Sequence, residues 1–473
     1  MSTGREQFGS RLGFILAAAG SAVGIGNMVG FPVAATKNGG GAFLLIYAIF
    51  VVLICIPVML AEMSMGRHTR KDPLGAYTRL SNSQPGWRIA GALSVLTPFM
   101  IAVFYLVITV WLFGYLFLSV TGSLDQLADP TTFGTFINSN TLFAYMIAVV
   151  AVVYLILQGG VKEGIEKAAK IMMPALFVML VALVFFVLTL DNAMAGVEYY
   201  LVPDFSKISA SVVSGALSQA FFSLSLGMGI MLTYGSYIDN RSDVPGAAKL
   251  VALTDTAVAF IAGLLILPAV FSFNPDTDTA QLSDSSIGMI FTFLPKIFLA
   301  LQTTIGYAGA SAVASIFFLL VFFAAITSLV SIAEVPVAAL MDEKCISRKK
   351  ALAYVGIAVV VLAVVSATSF GMVSFFTEFT QYAGQTKSLF DIIVDVFYDT
   401  ILPFNGLLIC LFVSYRWRKA NMNKELEQGA EGYVNSWYER YVNFALRTFI
   451  PVILALVFIN TVALKFFGMA FIG

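Results

Sequence analysis

Hydrophobic positions in this chain come in long unbroken blocks, not in the period-two alternation of amphipathic strands. Apolar runs occupy roughly 12–35, 42–65, 90–120, 142–158, 168–190, 212–235, 250–272, 305–340, 351–367, 389–415 and 445–470. A helix needs about 20 residues to cross a bilayer core of about 30 Å, and these runs meet that length or come close to it. The short alternating segments of an outer-membrane barrel are absent, and lipid otherwise tolerates only helices, because nothing there can satisfy stray backbone groups. The pattern therefore predicts an all-α polytopic membrane protein of 11 transmembrane helices. Composition agrees: of 473 residues 59% are hydrophobic and 11% charged, with a mean hydropathy of +0.89, which a soluble domain of this length does not show. The first run follows Arg5 and Arg11 and contains LAAAGSA, features of a signal peptide. Gly-rich, Asn-containing sequence continues directly from it, so it is read as span 1.

The joining segments alternate in basic residues. With a cytoplasmic N-terminus and eleven spans, all Lys and Arg residues fall inside except Lys37, Lys207, Lys296, Lys387 and Lys465. This asymmetry obeys the positive-inside bias and predicts a multi-pass protein of the cell (inner) membrane, C-terminus extracytoplasmic. No soluble domain is expected; the outer segment 273–304 contains an apolar stretch, Ile287 to Leu294, predicted to fold back as a short helical hairpin. Cys55, Cys345 and Cys410 are scattered without a CxxC spacing, and His68, the single histidine, reads as a solvated loop residue. Neither a disulfide framework nor an enzyme site is suggested, and no nucleic-acid partner is expected.

Two spans are interrupted. Span 1 carries GSAVGIGN from Gly20 to Asn27, and span 6 carries SLSLGMG from Ser223 to Gly229. Glycine inside a helix costs about 1 kcal/mol relative to alanine, so three within seven residues mark where the helix unwinds. Backbone groups freed at membrane depth are tolerated only against protein or a polar cavity. The carbonyl end of one half-helix suits a cation and the N–H end of the next suits an anion. Small-residue helix packing accounts for the glycines alone but not for Asn27 or for a second broken span. Two interrupted spans in corresponding halves point to the binding site of a secondary transporter.

GSAVGIGN followed by FP and NGGGAF, then QAFFSLSLGMG and TYGSY, then FFAAITSLVSIAEVP, closely resembles the neurotransmitter:sodium symporter family and its bacterial amino-acid transporters. The match runs from Arg5 to the end of span 10. It implies an inverted repeat, with 1–190 as the first half (spans 1–5), 191–416 as the second (spans 6–10) and 417–473 as a cytoplasmic loop and span 11. It also implies two sodium sites. The first matches Ala22, Asn27, Ser223 and either Asp255 or its neighbour Thr254; the second matches Gly20, Val23, Ala324, Thr327 and Ser328. All offer hard oxygen ligands. Asp255 would supply a fixed negative charge, so chloride is not expected to be needed. Thr-Ser in a span can also simply bond back to the preceding turn.

By the same resemblance, substrate would lie among Ser21, Ala22, Gly24, Ile25 and Gly26 of span 1, Ile101 and Tyr105 of span 3, Phe222, Ser225 and Met228 of span 6, and Ser328 and Ile332 of span 8. Monoamine carriers of the family bear an aspartate where this chain has Gly24, so the substrate should bring its own carboxylate. The expected function is sodium-driven uptake of a neutral, apolar amino acid by alternating access. The alternatives are another zwitterion (a betaine, taurine or a β-amino acid) or a non-transporting sensor or channel of the same fold. The inner gate would pair Arg5 with Asp342, braced by Tyr237, with Phe8 where an anchoring tryptophan is usual; Tyr105 and Phe222 would form the outer lid. The usual outer Arg–Asp pair is missing, its positions being Gly30 and Val394, flanked by Asp391 and Asp395. Glu62 and Glu334, costly inside a membrane, are expected to brace the broken helices, a proton relay being the rival reading.

Overall fold

The computed structural model describes residues 5–273 and 286–469. Among these, nine helices are long and apolar enough to cross a membrane: Gly41–Thr69, Pro85–Val120, Thr141–Gln158, Val161–Val187, Val244–Phe273, Gln302–Lys344, Arg348–Phe370, Leu389–Glu427 and Trp437–Phe467. A tenth span is the pair Arg11–Ala22 and Gly26–Lys37, bent by 56°. The expected span 6 is present as two short helices, Ala210–Ser223 and Ile230–Gly235, neither of membrane-crossing length. The span numbers below follow chain order with this pair as span 6.

Spans 3 (Pro85–Val120) and 8 (Gln302–Lys344) are long and pack along each other at the centre. Span 1 lies against spans 5, 7 and 8, and the second half of span 6 against span 2. Around this core, spans 4, 5, 9 and 11 turn large apolar side chains outward, among them Leu155, Val178, Ile357 and Val452, as lipid-facing helices must. The close contact of spans 2 and 6 depends on Gly66: a Cβ there would stand within 3 Å of the Leu232 carbonyl carbon and the Ser236 nitrogen, and almost upon the Leu232 oxygen. Gly66→Ala is therefore expected to cost about 1–3 kcal/mol of stability, seen as a lower thermal midpoint in detergent.

Several loops differ from the expectation. Residues 274–285 of the expected outer hairpin lie outside the described residues. Ser286–Gly288, Met289–Phe293 and Leu294–Ala300 form one helical run with Ile290 and Phe291 buried, and span 8 follows after Leu301, kinked at Gly306 (φ 74°, ψ 165°). Between spans 9 and 10 a small antiparallel hairpin pairs Thr380–Tyr382 with Gln385–Lys387. The segment after span 10 is not wholly a solvated loop: Lys419–Glu427 continues as helix and packs against span 2. Glu425 there is buried against Arg67, which is 1% exposed, and its other oxygen is 3.0 Å from Nδ1 of His68. His68 thus sits in the last turn of span 2, paired and packed on Trp417, and is not the free loop residue its neighbours suggested.

Candidate functional site

In span 1 the helix stops at Ala22, and Val23 turns extended (φ −71°, ψ 100°). The freed groups are answered by side chains. The Gly24 N–H donates to Asn27 Oδ1 at 3.2 Å, and the Ile25 N–H to the Tyr105 hydroxyl at 3.2 Å. Span 6 breaks over Leu224–Gly229, where Ser225, Gly227 and Gly229 all adopt positive φ. Glu62 accepts from the Gly227 N–H at 2.7 Å, and Asn405 donates to the Gly227 carbonyl at 3.0 Å, so two neighbouring spans hold this turn. Ser225 ties the two breaks together, its hydroxyl donating to the Ser21 carbonyl at 3.1 Å.

Two oxygen-rich clusters result. In the first, Asp255 is fully buried and accepts from Asn27 Nδ2 (2.7 Å), the Ser223 hydroxyl (2.8 Å) and the Tyr47 hydroxyl (3.3 Å). Asp255, not Thr254, faces this cluster; the Thr254 hydroxyl bonds back to Leu250 of its own helix at 2.8 Å. One residue is a turn of about 100° on a helix, which separates the two. Ala22 ends the adjoining half-helix. Tyr47 of span 2 and Gln219, which donates to the Gly26 carbonyl at 3.2 Å, were not anticipated. Each sits in an apolar run with a polar tip, the feature that marks a buried partner in lipid.

In the second cluster the Ser328 hydroxyl stands 3.4, 3.1 and 3.2 Å from the carbonyl oxygens of Gly20, Ser21 and Val23. A hydroxyl carries one proton and can answer only one of them at a time, so four oxygens converge with too few donors. Such a group suits a small hard cation. Thr327 behaves differently from Ser328: its hydroxyl bonds back to Phe323 (3.0 Å) and Ala324 (3.1 Å). Its Cβ nevertheless lies 3.4 Å from where a Gly20 Cβ would be, beside the same carbonyls.

The remaining expected residues surround the breaks. Ile101, Met228 and Ile332 are buried, and Ser21 Oγ is buried without any hydrogen bond. A Cβ at Gly24 would meet the Tyr105 and Ser328 hydroxyls at 2.7 and 2.8 Å, whereas at Gly26 it would meet nothing within 4 Å. Open space therefore lies against span 1 at Gly26, and the Gly24 side is filled. Of the two expected lid residues, Phe222 stacks on Tyr398 of span 10 at 4.8 Å, and Tyr105 has Phe104 as a ring neighbour.

Comparison with known proteins decides the family. The chain matches the sodium:neurotransmitter symporter family over residues 5–128 and 134–468. It is 33% identical over 472 residues to the sodium-dependent transporter YhdH of Bacillus subtilis (strain 168), covering 98% of both chains. A sodium-dependent transporter of Methanocaldococcus jannaschii is 35% identical over 382 residues, 78% of this chain and 76% of that one. The crystal structure of MhsT in complex with L-phenylalanine superposes with a TM-score of 0.81 at 37% identity, covering 96% of this chain and 99% of that one. The chain belongs to the sodium:neurotransmitter symporter family. It is a sodium-dependent membrane transporter, not an enzyme.

Near the end of span 8, two ion pairs are linked through Tyr237. Arg5 reaches Asp342 at 2.6 Å, donates to Ser236 and lies 4.7 Å over the Tyr237 ring. The Tyr237 hydroxyl donates to Glu334 at 2.7 Å, and Glu334 is held by Arg348 at 2.5 Å. Tyr237 thus joins both pairs, and because it lies just past the second half of span 6, Glu334 holds the end of that broken span. Phe8 packs edge-on against Phe14, Tyr234 and Tyr237. The Asp72 N–H donates to Asp342 at 2.9 Å; burial, with Asp342 and Glu343 nearby, pushes the Asp72 carboxyl up to about 7.

At the positions of the missing Arg–Asp pair, Gly30 and Val394 are half-buried and the acids flanking Val394 are engaged elsewhere. Asp391 caps its own helix through Ser388. Asp395 binds Lys465 (2.8 Å) and the Tyr382 hydroxyl (2.8 Å), and Asp399 binds Lys465 at 2.7 Å. Span 10 is fastened to span 11 and to the small hairpin by charge, and faces the lid with the aromatic ring of Tyr398.

Proposed function

We propose that this symporter couples an inward sodium gradient to uptake of a neutral, apolar amino acid by alternating access. The observation that carries the reading is the helix break itself. Ser21 Oγ has no partner, Gly26 borders open space, and the Ile25 N–H is presented beside the Tyr105 hydroxyl. An α-carboxylate fits donors at the start of the second half-helix. No acid stands at position 24 to pair an amine alone. Buried Ile101, Met228 and Ile332 favour an apolar side chain, and the structural relative MhsT was solved with L-phenylalanine.

Two sodium ions are assigned. Ala22, Asn27, Ser223 and Asp255 would hold one next to the substrate carboxylate; Gly20, Val23, Ala324, Thr327 and Ser328 would hold the other. Asp255 makes chloride dispensable. The orientation places the N-terminus in the cytoplasm of the inner membrane, with eleven spans and inverted halves at 1–190 and 191–416 followed by 417–473. A second reading, a sulfonate or other zwitterion, draws on the taurine transporter of Bos taurus, 26% identical over 340 residues.

Uptake into proteoliposomes under an imposed inward sodium gradient tests this, with leucine, phenylalanine, taurine, betaine and β-alanine as labelled substrates. Leucine or phenylalanine is expected to accumulate only with sodium, and equally with chloride replaced by gluconate. Accumulation of taurine or betaine alone replaces the substrate assignment, and accumulation without sodium removes the coupling.

A further inference from the structure

Between spans 3, 4, 8 and 9 the surface of the bundle holds an open apolar groove. Its walls include Leu106, Val153, Leu157, Ala333, Leu352 and Gly356, and the Tyr154 hydroxyl is the single polar side-chain group among its lining residues. Along span 9 it extends from Leu352 to Val360, about 12 Å at the helical rise. Nothing fills it from within: a Cβ on Gly356 would meet no atom within 4 Å, and Tyr154 at its rim is 41% exposed.

At the inner foot of the groove the stretch Lys344 to Lys350 carries four basic residues and no acid. Arg348 is committed to Glu334 and to the Leu157 carbonyl (2.7 Å). Lys344, Lys349 and Lys350 are exposed. Lys349 precedes Gly356 by seven residues and Val360 by eleven, so it stands on the same helical stripe as the groove. Its side chain leans toward the helix N-terminus, which in the proposed orientation is the cytoplasmic surface.

We propose that this groove binds one acyl chain of an anionic phospholipid of the inner leaflet, with the headgroup phosphate against Lys349 and Lys350. The groove's lining matches a hydrocarbon chain in polarity, and the charge at its foot complements a phosphodiester. The site touches the inner closure directly. Leu157 lines the groove and accepts from Arg348, and Ala333 on its floor adjoins Glu334. A bound lipid therefore packs spans 4 and 9 onto the helix carrying Glu334 and holds the closure shut.

Native mass spectrometry of the detergent-purified protein tests this with added phosphatidylglycerol or phosphatidylcholine of the same acyl chains. One phosphatidylglycerol is expected to bind more tightly than phosphatidylcholine. Lys349→Gln and Lys350→Gln are each expected to weaken it about fivefold, as a charge worth about 1 kcal/mol at a membrane surface does. Gly356→Phe fills the groove and removes the adduct; Val360→Trp serves the same purpose should the first variant have a lowered thermal midpoint without lipid. Equal binding of both lipids, indifference to the lysines, or an adduct that survives both filled-groove variants overturns the proposal. So does a lipid-free dimer that only the filled-groove variants dissociate, which would give the groove to a second copy of the chain. The measurement needs neither transport nor a known orientation, so its failure is separate from a failure of the uptake experiment.

Discussion

Asp255→Ala is expected to abolish sodium-driven uptake in chloride-free medium, with a fall in sodium affinity of about two orders of magnitude. The carboxylate is fully buried and is the common acceptor of Asn27, Ser223 and Tyr47. Its removal takes the acceptor from the buried Ser223 hydroxyl and leaves Asn27 and Tyr47 with Ser223 Oγ as their shared acceptor, and each unsatisfied group costs about 1–3 kcal/mol. It also withdraws a negative charge from a site proposed to hold a cation, where a deficit of about 3 kcal/mol is already a hundredfold in affinity. Chloride added to the alanine variant is expected to restore part of the uptake, since an anion in the vacated volume can accept from the same three donors. Asp255→Asn keeps the shape without the charge, and is expected to lose sodium affinity while folding normally. Because ion and carboxylate share the site, substrate affinity falls in step with sodium affinity. Sodium titrations of labelled-substrate binding check this, and a chloride-free alanine variant with the parent's sodium affinity would remove Asp255 from the site.

The helix breaks that frame this site were legible in the chain because their cause is local. Glycines that cost helix stability, with Asn27 beside them, leave little choice about where span 1 opens. Span 6 follows the same logic, with Gly227 and Gly229 taking the positive φ that favours glycine. The partners that answer the opened backbone were less legible, because they come from distant helices. Tyr47 and Tyr398 look like ordinary aromatics in apolar runs, and only packing shows one at Asp255 and the other on Phe222. Thr254 and Asp255, or Thr327 and Ser328, differ by one step of helical rotation, which a pattern of apolar positions does not fix to the residue.

The partners of the charges were not legible in the chain. Asp395, beside the position of the missing outer pair, is bound to Lys465, some seventy positions away. Arg67 and Glu425 likewise meet across most of the chain, which turns an expected polar loop into a buried contact. In the proposed orientation, rings would close the outer side, fastened at its edge by charge, and charge would close the inner side, braced by rings.

That inner arrangement gives the other large expected effect. Arg348→Gln leaves Glu334, fully buried, with the Tyr237 hydroxyl as its hydrogen-bond partner. Breaking a buried pair by removing one member costs about 3–5 kcal/mol, because the survivor stays uncompensated. The cost falls on the inward-closed state alone, since opening lets water reach Glu334. An equilibrium so penalised moves toward the open state by two to three orders of magnitude, about 1.4 kcal/mol being tenfold. Hydrogen exchange over residues 5–22 and 230–238 is expected to accelerate accordingly, and substrate affinity from the outside to fall. Arg5→Gln should act in the same direction but less, as Arg5 and Asp342 are already 15% and 16% exposed. Pairing Arg348→Gln with Glu334→Gln removes both charges together and is expected to recover part of the protection, a coupling that a double-mutant cycle isolates. Unchanged exchange in Arg348→Gln would mean that the Arg5–Asp342 pair closes the inner side unaided, and the linkage through Tyr237 would carry no energy.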